Sequence, residues 1–205
     1  MKSDARILFY LAAFLVYVAI RGVFKRRAKN NINRVQRLDL LERFLIILVI
    51  PGSLLLPLIH IFGNLLSFAD YRLPAVTGWI GAALMVAALW LFYRSHADLG
   101  KNWSVTLAVR EGHTLVKHGV YRSIRHPMYA SIWLWCIAQG LLLENWLAGW
   151  YALASFAVMY FVRTPREEQL MRDCFGQEYE EYMRNTGRLF PRRTRCKSPG
   201  GNRIV

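Results

Sequence analysis

The sequence predicts an all-α integral membrane protein with about five transmembrane helices. Hydrophobic residues make up 55% of the 205 positions, and the mean hydropathy is +0.21. These residues lie in long blocks with almost no charge, whereas a soluble domain would distribute them at amphipathic spacing. Basic residues concentrate between the blocks, which is typical of membrane topology. Together these observations favour membrane spans over a soluble core.

Three apolar blocks lie in the N-terminal part of the chain. Their centres are Ile7–Ile20, which extends to about residues 5–24, then Phe44–Phe62 and Pro74–Tyr93. Each extended block is long enough to cross a hydrocarbon core of ~30 Å. Arg21-Gly22-Val23 follows the first block, where a signal peptide would carry a small-residue cleavage site, so we expect an uncleaved anchor.

The fourth and fifth spans share one apolar run. Tyr129–Val162 has 34 residues, and Glu144 is its only charged residue. A single helix of that length would span roughly 51 Å, against ~30 Å for the hydrocarbon core. We therefore expect two short helices joined near Glu144-Asn145, with Glu144 as a solvated turn residue at the tip.

The distribution of basic residues predicts the orientation. Of 27 lysines and arginines, loop 21–43 holds eight, loop 94–128 holds six and the tail from Arg163 holds ten. The opposite side has only Lys2, Arg6 and Arg72. The excess places both loops and the C-terminal tail in the cytoplasm and the N-terminus outside. That arrangement requires an odd number of spans, in agreement with five.

The net charge of +14 is interpreted as topology and as contact with anionic lipid headgroups. Nucleic-acid binding is not expected, because the charges lie in short juxtamembrane segments. Three cysteines on the reducing side predict no disulfide. The spacing of cysteine and histidine does not match a metal site, so no metal is expected.

A polar hinge immediately precedes the shared apolar run. Residues 119–129 contain two arginines, one histidine and two tyrosines. Ionisable groups where a helix enters a bilayer indicate a functional site. Pro127 fits the first turn of a helix, so His126 would lie at the N-terminal mouth of the fourth span, where backbone N–H groups favour an anionic ligand.

The C-terminal tail predicts a pair of short amphipathic helices. Thr164, Pro165 and Glu167 fit the start of a new helix, as the cap, the first helical position and the end of a capping box. Apolar residues then recur at helical spacing as far as Gly176, which breaks the run before it resumes at Tyr179. We expect these helices to lie against the membrane or to cover the spans.

Several separated motifs resemble the isoprenylcysteine carboxyl methyltransferase family, which shares a superfamily with phospholipid N-methyltransferases. In chain order they are His113-Thr114-Leu115-Val116, Gly119-Val120-Tyr121, Arg125-His126-Pro127-x-Tyr129, Arg163, Glu167-Glu168 and Phe175-Gly176-x-Glu178-Tyr179-x-x-Tyr182. They extend over roughly residues 94–191. The eukaryotic members have more N-terminal spans, so this short chain resembles the prokaryotic branch.

The resemblance implies S-adenosylmethionine as the cofactor and S-adenosylhomocysteine as its product, in a cytoplasmic pocket formed by the last two spans and the tail. It implies a division into N-terminal helices (1–93) and a catalytic region (94–205). The implied cofactor contacts are His113, Thr114, Leu115, Val116, Tyr121, His126, Pro127, Met128, Tyr129 and Glu167. Arg163 is implied as the catalytic residue that faces the carboxylate of the methyl acceptor.

The chemistry of the residues is compatible with that role. A carboxylate acceptor is already ionised at pH 7, so the site needs positioning rather than a strong base. A guanidinium can hold a carboxylate through two parallel hydrogen bonds. The expected acceptor is a prenylated cysteine or a small lipophilic acid that enters between the spans from the lipid bilayer. If the acceptor were a phospholipid amine, His126 or a tyrosine would be the candidate base.

Other classes remain open at this point. A phospholipid N-methyltransferase is the alternative within the superfamily. A membrane sterol-type reductase has a related C-terminal half and binds a nicotinamide cofactor, but it has about twice this number of spans. A non-catalytic adaptor whose basic loops bind anionic lipid is a third alternative, and it predicts no nucleoside binding. Each assigned residue also has a structural alternative: a helix cap for Glu167, a snorkelling side chain for Arg163 and a backbone contact for His126.

Overall fold

The computed structural model describes residues 3–29, 40–100 and 114–192, and these residues are almost entirely helical. Within these described ranges, seven α-helices follow one another: α1 (Ser3–Lys29), α2 (Leu40–Ile50), α3 (Leu56–Phe62), α4 (Ala75–Leu99), α5 (Pro127–Leu143), α6 (Trp146–Phe175) and α7 (Gln177–Asn185). The predicted all-α class is therefore confirmed.

Three helical segments have the length and composition of membrane spans, namely Asp4–Arg27, Leu40–Phe62 and Ala75–Leu99. They correspond to the three apolar blocks of the N-terminal part. Helix α5 (Pro127–Leu143) is apolar but shorter, and it packs against both α4 and α6. These features confirm a helical membrane fold, while the count of five spans stays a prediction.

A π-helical turn interrupts the second span. Pro51–Leu55 joins α2 to α3, and Pro51 and Pro57 lack the N–H groups of a regular helix. Gln139 of α5, which is completely buried, donates hydrogen bonds to the Gly52 carbonyl at 2.9 Å and to the Ala148 carbonyl at 2.7 Å. Its amide therefore satisfies backbone oxygens in an apolar interior and links α5 to the second span.

The hairpin between α5 and α6 turns where the sequence predicts. Glu144 adopts the left-handed conformation (φ 49°), and the Asn145 side chain caps α6 by accepting from the N–H groups of Leu147 and Ala148. Capping of this kind satisfies amide groups that a helix leaves unpaired at its start. Two helices thus replace one overlong span, as expected, but only α5 is short, since α6 has 30 residues.

Glu144 is not the solvated turn residue that the sequence analysis expected. Its side chain is only 19% exposed and forms an ion pair with Arg6, which is almost fully buried. The same carboxylate accepts a hydrogen bond of 2.9 Å from the Leu73 N–H. Glu144 therefore fastens α1 and the segment before α4 to the hairpin, because the folded chain brings Arg6 to it from 138 positions away.

The prediction that a new tail helix begins at Thr164 is wrong. Helix α6 continues from Trp146 to Phe175 with Pro165 in its interior. Thr164 is 1% exposed and lies within the helix, so it is not an N-cap. The proline loses one backbone hydrogen bond, and the helix continues through it. The break at Gly176 (φ 52°) and the start of α7 at Gln177 follow the prediction.

Two adjoining clusters form the interior of the bundle. The first includes Tyr10, Met85 and Trp135, which join α1, α4 and α5. The second includes Tyr129, Phe156 and Tyr160 and lies between α5 and α6. Tyr129 lies in the first turn of α5 and packs near Tyr160 of α6, so the second cluster extends to the hinge that precedes α5.

Candidate functional site

A cavity of about 610 Å³ opens among α1, α2, α4, α5, α6 and α7. This volume lies within the range of small-molecule sites. One end of the cavity is polar. It is formed by the hinge before α5, by the C-terminal part of α6 and by α7. The other part is apolar and extends between the helices.

All predicted site residues that the structure describes line this one cavity. They are Thr114, Leu115, Val116, Tyr121, His126, Pro127, Met128, Tyr129, Arg163 and Glu167. His113 lies outside the described residues. These residues lie up to 53 positions apart in the sequence. They meet because the α5–α6 hairpin brings the C-terminal part of α6 back to the hinge.

Glu167 is the centre of the polar end. Its Oε1 atom accepts hydrogen bonds from the Tyr129 hydroxyl at 2.5 Å and from Arg163 Nε at 2.9 Å. Its Oε2 atom lies 3.7 Å from His126 Nδ1. Because Glu167 lies inside α6, its carboxylate cannot serve the predicted capping box. It holds Arg163 and Tyr129 in fixed positions at the cavity wall.

Glu168 is a buried residue beside the site to which the sequence analysis assigned no role. Its side chain is 2% exposed, and its Oε1 atom lies 3.3 Å from both Arg125 Nε and His126 Nε2. Arg188 pairs with both carboxylate oxygens. The adjacent glutamates in the motif were the available signal, but only the fold shows that both face His126 and that Glu168 alone also pairs with Arg125 and Arg188.

The electrostatics of Glu168 favour its ionised form. Burial opposes ionisation, but hydrogen bonds from His126 and Arg188 outweigh that effect, and the pKa of Glu168 falls from its ordinary value of 4.5 to about 2. The hydrogen bond that Arg188 donates to Glu168 in turn raises the pKa of Arg188. The carboxylate is therefore charged at neutral pH and joins the hinge to the segment that follows α7.

Backbone contacts fix the hinge against that same C-terminal segment. The Arg125 N–H donates to the Gly187 carbonyl at 2.8 Å, and the His126 N–H donates to the Arg188 carbonyl at 3.0 Å. The Arg125 side chain adds bonds to the carbonyls of Met183 and Thr186. As a result, the segment after α7 holds the backbone of His126, while Glu168 of α6 contacts its ring.

The short 3₁₀ turn at Gly119–Arg122 is fixed on its other side by α4 and α7. Asp98 accepts a hydrogen bond of 2.8 Å from the Val120 N–H, and the Tyr182 hydroxyl donates at 2.6 Å to the Tyr121 carbonyl. Gly119 has a φ of 59°, and a Cβ there would lie 2.0 Å from the Asp98 carboxylate. Glycine is thus required by both the conformation and the close contact.

His126 lies at the mouth of α5, as predicted, with Pro127 at the first helical position. Its ring stacks on Tyr129 with centroids 5.6 Å apart. The structural alternative for His126, a contact with a backbone carbonyl, does not account for its ring, because the two ring nitrogens face Glu167 and Glu168. The ring links the two carboxylates across the hinge.

The apolar part of the cavity is lined by residues at helical spacing on α2 and by facing residues of α5 and α6. Ile46, Val49 and Ile50 contribute from α2, with Phe156 and Met159 from α6. Sequence reasoning assigned none of the N-terminal helices to the site. The sequence could not identify this face, because every face of a uniformly apolar span looks alike and only the packing of the helices decides which one lines a cavity.

No group of three or more potential metal-ligating side chains occurs in the described ranges. Of the two cysteines among these residues, Cys136 is buried and Cys174 is exposed, and both are free thiols.

Fold and site define a helical membrane protein in which one cavity joins a charged end to an apolar interior. Its residues 79–173 match the model of the isoprenylcysteine carboxyl methyltransferase (ICMT) family, and the resemblance found in the motifs is thereby confirmed. A solved structure of a eukaryotic intramembrane Ras methyltransferase ICMT has a similar fold, with a TM-score of 0.55 and 24% identity over 90% of this chain and 62% of that chain.

Curated relatives are similar over part of the chain. A probable protein-S-isoprenylcysteine O-methyltransferase of Oryza sativa subsp. indica is 35% identical over 119 residues, which is 57% of this chain and 62% of that protein. The corresponding protein of Tribolium castaneum is 40% identical over 38% of this chain and 28% of its own length. The cobalt-zinc-cadmium resistance protein CzcN of Cupriavidus metallidurans is 30% identical over 56% of this chain and 52% of its own. The matches thus span less than two thirds of each relative.

Proposed function

We propose that this protein is an integral-membrane methyltransferase that uses S-adenosylmethionine to methylate the carboxylate of a lipophilic acceptor. The observation that carries this proposal is the single cavity in which a fixed arginine, Arg163, meets both a charged end and an apolar interior. The similarity to isoprenylcysteine O-methyltransferases supports the same reaction type.

The cavity suits the proposed cofactor in size and in its donor set. Its volume of about 610 Å³ exceeds the lower end of ligand pockets, ~300 Å³. The proposed contacts are Thr114, Leu115, Val116, Tyr121, His126, Pro127, Met128, Tyr129 and Glu167, together with His113 outside the described residues. Glu167 can accept hydrogen bonds from hydroxyl or ammonium groups, and the aromatic rings can pack against a base or a sulfonium.

The residues of the chain act by positioning and by charge. When bound, S-adenosylmethionine would supply an electrophilic methyl group for bonding to a carboxylate oxygen, with the electron pair of the broken S–C bond leaving on S-adenosylhomocysteine. Arg163 binds the acceptor's carboxylate and directs one oxygen towards the cofactor side of the cavity. Glu167 and Tyr129 keep the guanidinium in place, and the apolar walls from α2, α5 and α6 exclude water.

A carboxylate acceptor agrees with the site better than an amine acceptor. An amine must lose a proton during transfer, and the candidate base would be His126. Both nitrogens of that ring already face carboxylates, at 3.3 Å and 3.7 Å. Because both ring nitrogens are directed at glutamates, neither is directed at an amine in the cavity. Phospholipid N-methylation therefore remains the second candidate.

The proposed location and topology follow from the charge distribution. The bilayer surrounds the apolar parts of the helices, with α6 leaving it near Val162; the N-terminus lies outside, and loops 21–43 and 94–128 and the C-terminal tail from Arg163 lie in the cytoplasm. The cofactor then enters from the cytoplasm, and a prenylated or otherwise lipophilic acceptor enters through the apolar part of the cavity. The division at residue 93 separates the N-terminal helices from the catalytic region, although α1, α2 and α4 also line the cavity.

Calorimetric binding of S-adenosylhomocysteine to detergent-purified protein tests this proposal, with NADPH as the control. We expect micromolar binding of the first and no binding of the second. Absence of S-adenosylhomocysteine binding in a folded sample would overturn the methyltransferase proposal and favour the adaptor. Binding of NADPH alone would favour a reductase.

A further inference from the structure

The segment that follows α7 lies at the level where α5 begins. The Arg188 carbonyl accepts a hydrogen bond from the N–H of His126, which immediately precedes α5. Leu189, the next residue, packs against the cluster that includes Tyr129 in the first turn of α5 and Tyr160 of α6. Because the apolar run of α5 and α6 ends at this level, the residues beside Leu189 lie where the lipid headgroups begin.

Phe190 and Arg192 are the exposed side chains of this segment that no role above explains. The Phe190 ring is 80% exposed, whereas Leu189 beside it is partly buried. Arg192 is also exposed, and its Nη1 atom donates to the Met183 and Arg184 carbonyls at 3.3 Å and 3.1 Å. An apolar side chain next to a cationic one is the combination that binds a segment to a bilayer surface.

The surface around Arg192 has an excess of positive charge. A shallow cleft of about 480 Å³ is lined by three arginines, Arg172, Arg184 and Arg192, and by one acidic residue, Glu180. The contact between Arg184 and Glu180 is long, at 3.8 Å, and both side chains are more than half exposed, so this pair neutralises little charge. Beyond the described residues the sequence adds Arg193, Arg195 and Lys197. This surface is complementary to the phosphate groups of anionic lipids.

The same segment holds the backbone of the hinge that precedes α5. The Arg125 N–H donates to the Gly187 carbonyl at 2.8 Å, and the His126 N–H donates to the Arg188 carbonyl at 3.0 Å. These two carbonyls come directly before Leu189 and Phe190 in the chain. A surface that restrains Phe190 therefore also restrains the two hydrogen bonds that fix the hinge.

We propose that Phe190 and Arg192 dock the segment after α7 on the anionic surface of the cytoplasmic leaflet, and that this contact holds the hinge at His126 in place. Anionic lipid thereby regulates the cavity from outside it. In a zwitterionic bilayer the arginines are attracted less, so the segment leaves the surface more often and the hinge hydrogen bonds open with it. This inference goes beyond the proposed function, because the lipid contact does not depend on the methyl acceptor.

Hydrogen exchange of the full chain in lipid nanodiscs tests the coupling. The amide protons of Arg125 and His126 exchange when their bonds to the segment open, and we expect about tenfold slower exchange with phosphatidylglycerol in the bilayer than with phosphatidylcholine alone. The affinity for S-adenosylhomocysteine should rise in parallel. The double variant Phe190→Ser/Arg192→Gln should remove both differences.

The matched control removes the same two kinds of exposed side chain elsewhere. Phe68 is 79% exposed and Arg72 is exposed, and both lie in the segment before α4. Phe68→Ser/Arg72→Gln should therefore keep the lipid dependence of the hinge. Equal hinge exchange in the two bilayers, or a lipid dependence that persists in Phe190→Ser/Arg192→Gln, overturns the docking.

Further measurements distinguish the remaining outcomes. If inorganic phosphate in phosphatidylcholine nanodiscs slows the exchange as much as phosphatidylglycerol does, the arginines bind a small anion and the bilayer is not the partner. If the double variant does not fold, salt decides: about 1 M KCl shortens the Debye length to ~3 Å, so it should abolish the wild-type difference, and an undiminished difference contradicts the docking. Absence of S-adenosylhomocysteine binding in both bilayers overturns the proposed function, whereas the hinge exchange still decides the docking.

Discussion

The Tyr129 hydroxyl donates a hydrogen bond of 2.5 Å to Glu167, which connects the first turn of α5 to the C-terminal part of α6. The same carboxylate oxygen accepts from Arg163 at 2.9 Å. The hydroxyl and the guanidinium thus share one acceptor, and each restrains the other through it. Loss of the Glu167 charge would release both groups at once.

Glu167→Gln tests the role of this carboxylate in cofactor binding. The amide keeps the shape of the side chain but lacks the negative charge, and we expect the affinity for S-adenosylhomocysteine to fall about tenfold or more. Calorimetry on detergent-purified protein measures the change. Tyr129→Phe is the control for lost hydrogen bonding at the same oxygen, and it should reduce the affinity less. Unchanged affinity in Glu167→Gln would limit this residue to holding Arg163.

Arg163→Lys tests the proposed clamp on the acceptor's carboxylate. Lysine keeps the positive charge but cannot bond Glu167 and present a planar pair of donors to a carboxylate together. We expect kcat/KM for a farnesylated cysteine acceptor to fall about a hundredfold, or ~3 kcal/mol, with little change in S-adenosylhomocysteine affinity. Transfer of a radiolabelled methyl group reports the rate. Wild-type turnover in Arg163→Lys would contradict bidentate binding.

The lowered pKa of Glu168 predicts that the free energy of unfolding depends on pH in the acid range. Its pKa is about 2 in the folded protein, against 4.5 ordinarily. Because the folded value is the lower one, the ionised carboxylate stabilises the fold fully above about pH 4.5, and this contribution is lost as the pH falls towards 2. The difference in the free energy of unfolding between wild type and Glu168→Gln should be on the order of 3 kcal/mol at neutral pH.

Thermal unfolding in detergent across that range measures this difference. The two proteins should converge as the pH falls from about 4.5 to about 2, because the carboxyl takes up its proton near 4.5 in the unfolded protein but only near 2 in the folded one. Arg188→Gln should destabilise less than Glu168→Gln, because the Arg188 side chain is 45% exposed and water partly replaces its partner. A difference between wild type and Glu168→Gln that persists unchanged at the lowest pH would argue against an ionic contribution.

Gly52→Ala tests the close packing of the second span against α6. A Cβ at position 52 would lie 2.7 Å from the Ala152 backbone, so the helices would have to separate. We expect a loss of about 1–3 kcal/mol in the free energy of unfolding and a wider apolar cavity. Gly22→Ala is the matched control, since no atom lies within 4 Å of its Cβ position. Equal stability of the two variants would refute the packing argument.

The sequence by itself determined the helical membrane class, the hairpin near Glu144 and the motif residues of the cavity. These features follow from local properties: apolar blocks of bilayer length, a charge that interrupts one of them, and motifs with fixed spacing. The break at Gly176 was predictable for the same reason. The continuation of α6 through Pro165 was not, because tertiary packing overrides the local preference of proline for a helix start.

Only the tertiary structure decided which polar groups meet. The pairing of Arg6 with Glu144 and of Glu168 with Arg125 and Arg188 depends on contacts between distant segments, which a charge pattern along the chain does not specify. Local sequence sets the elements and their apolar faces, while the enclosure of charges in an apolar interior selects the partners, because a buried charge without one is too costly.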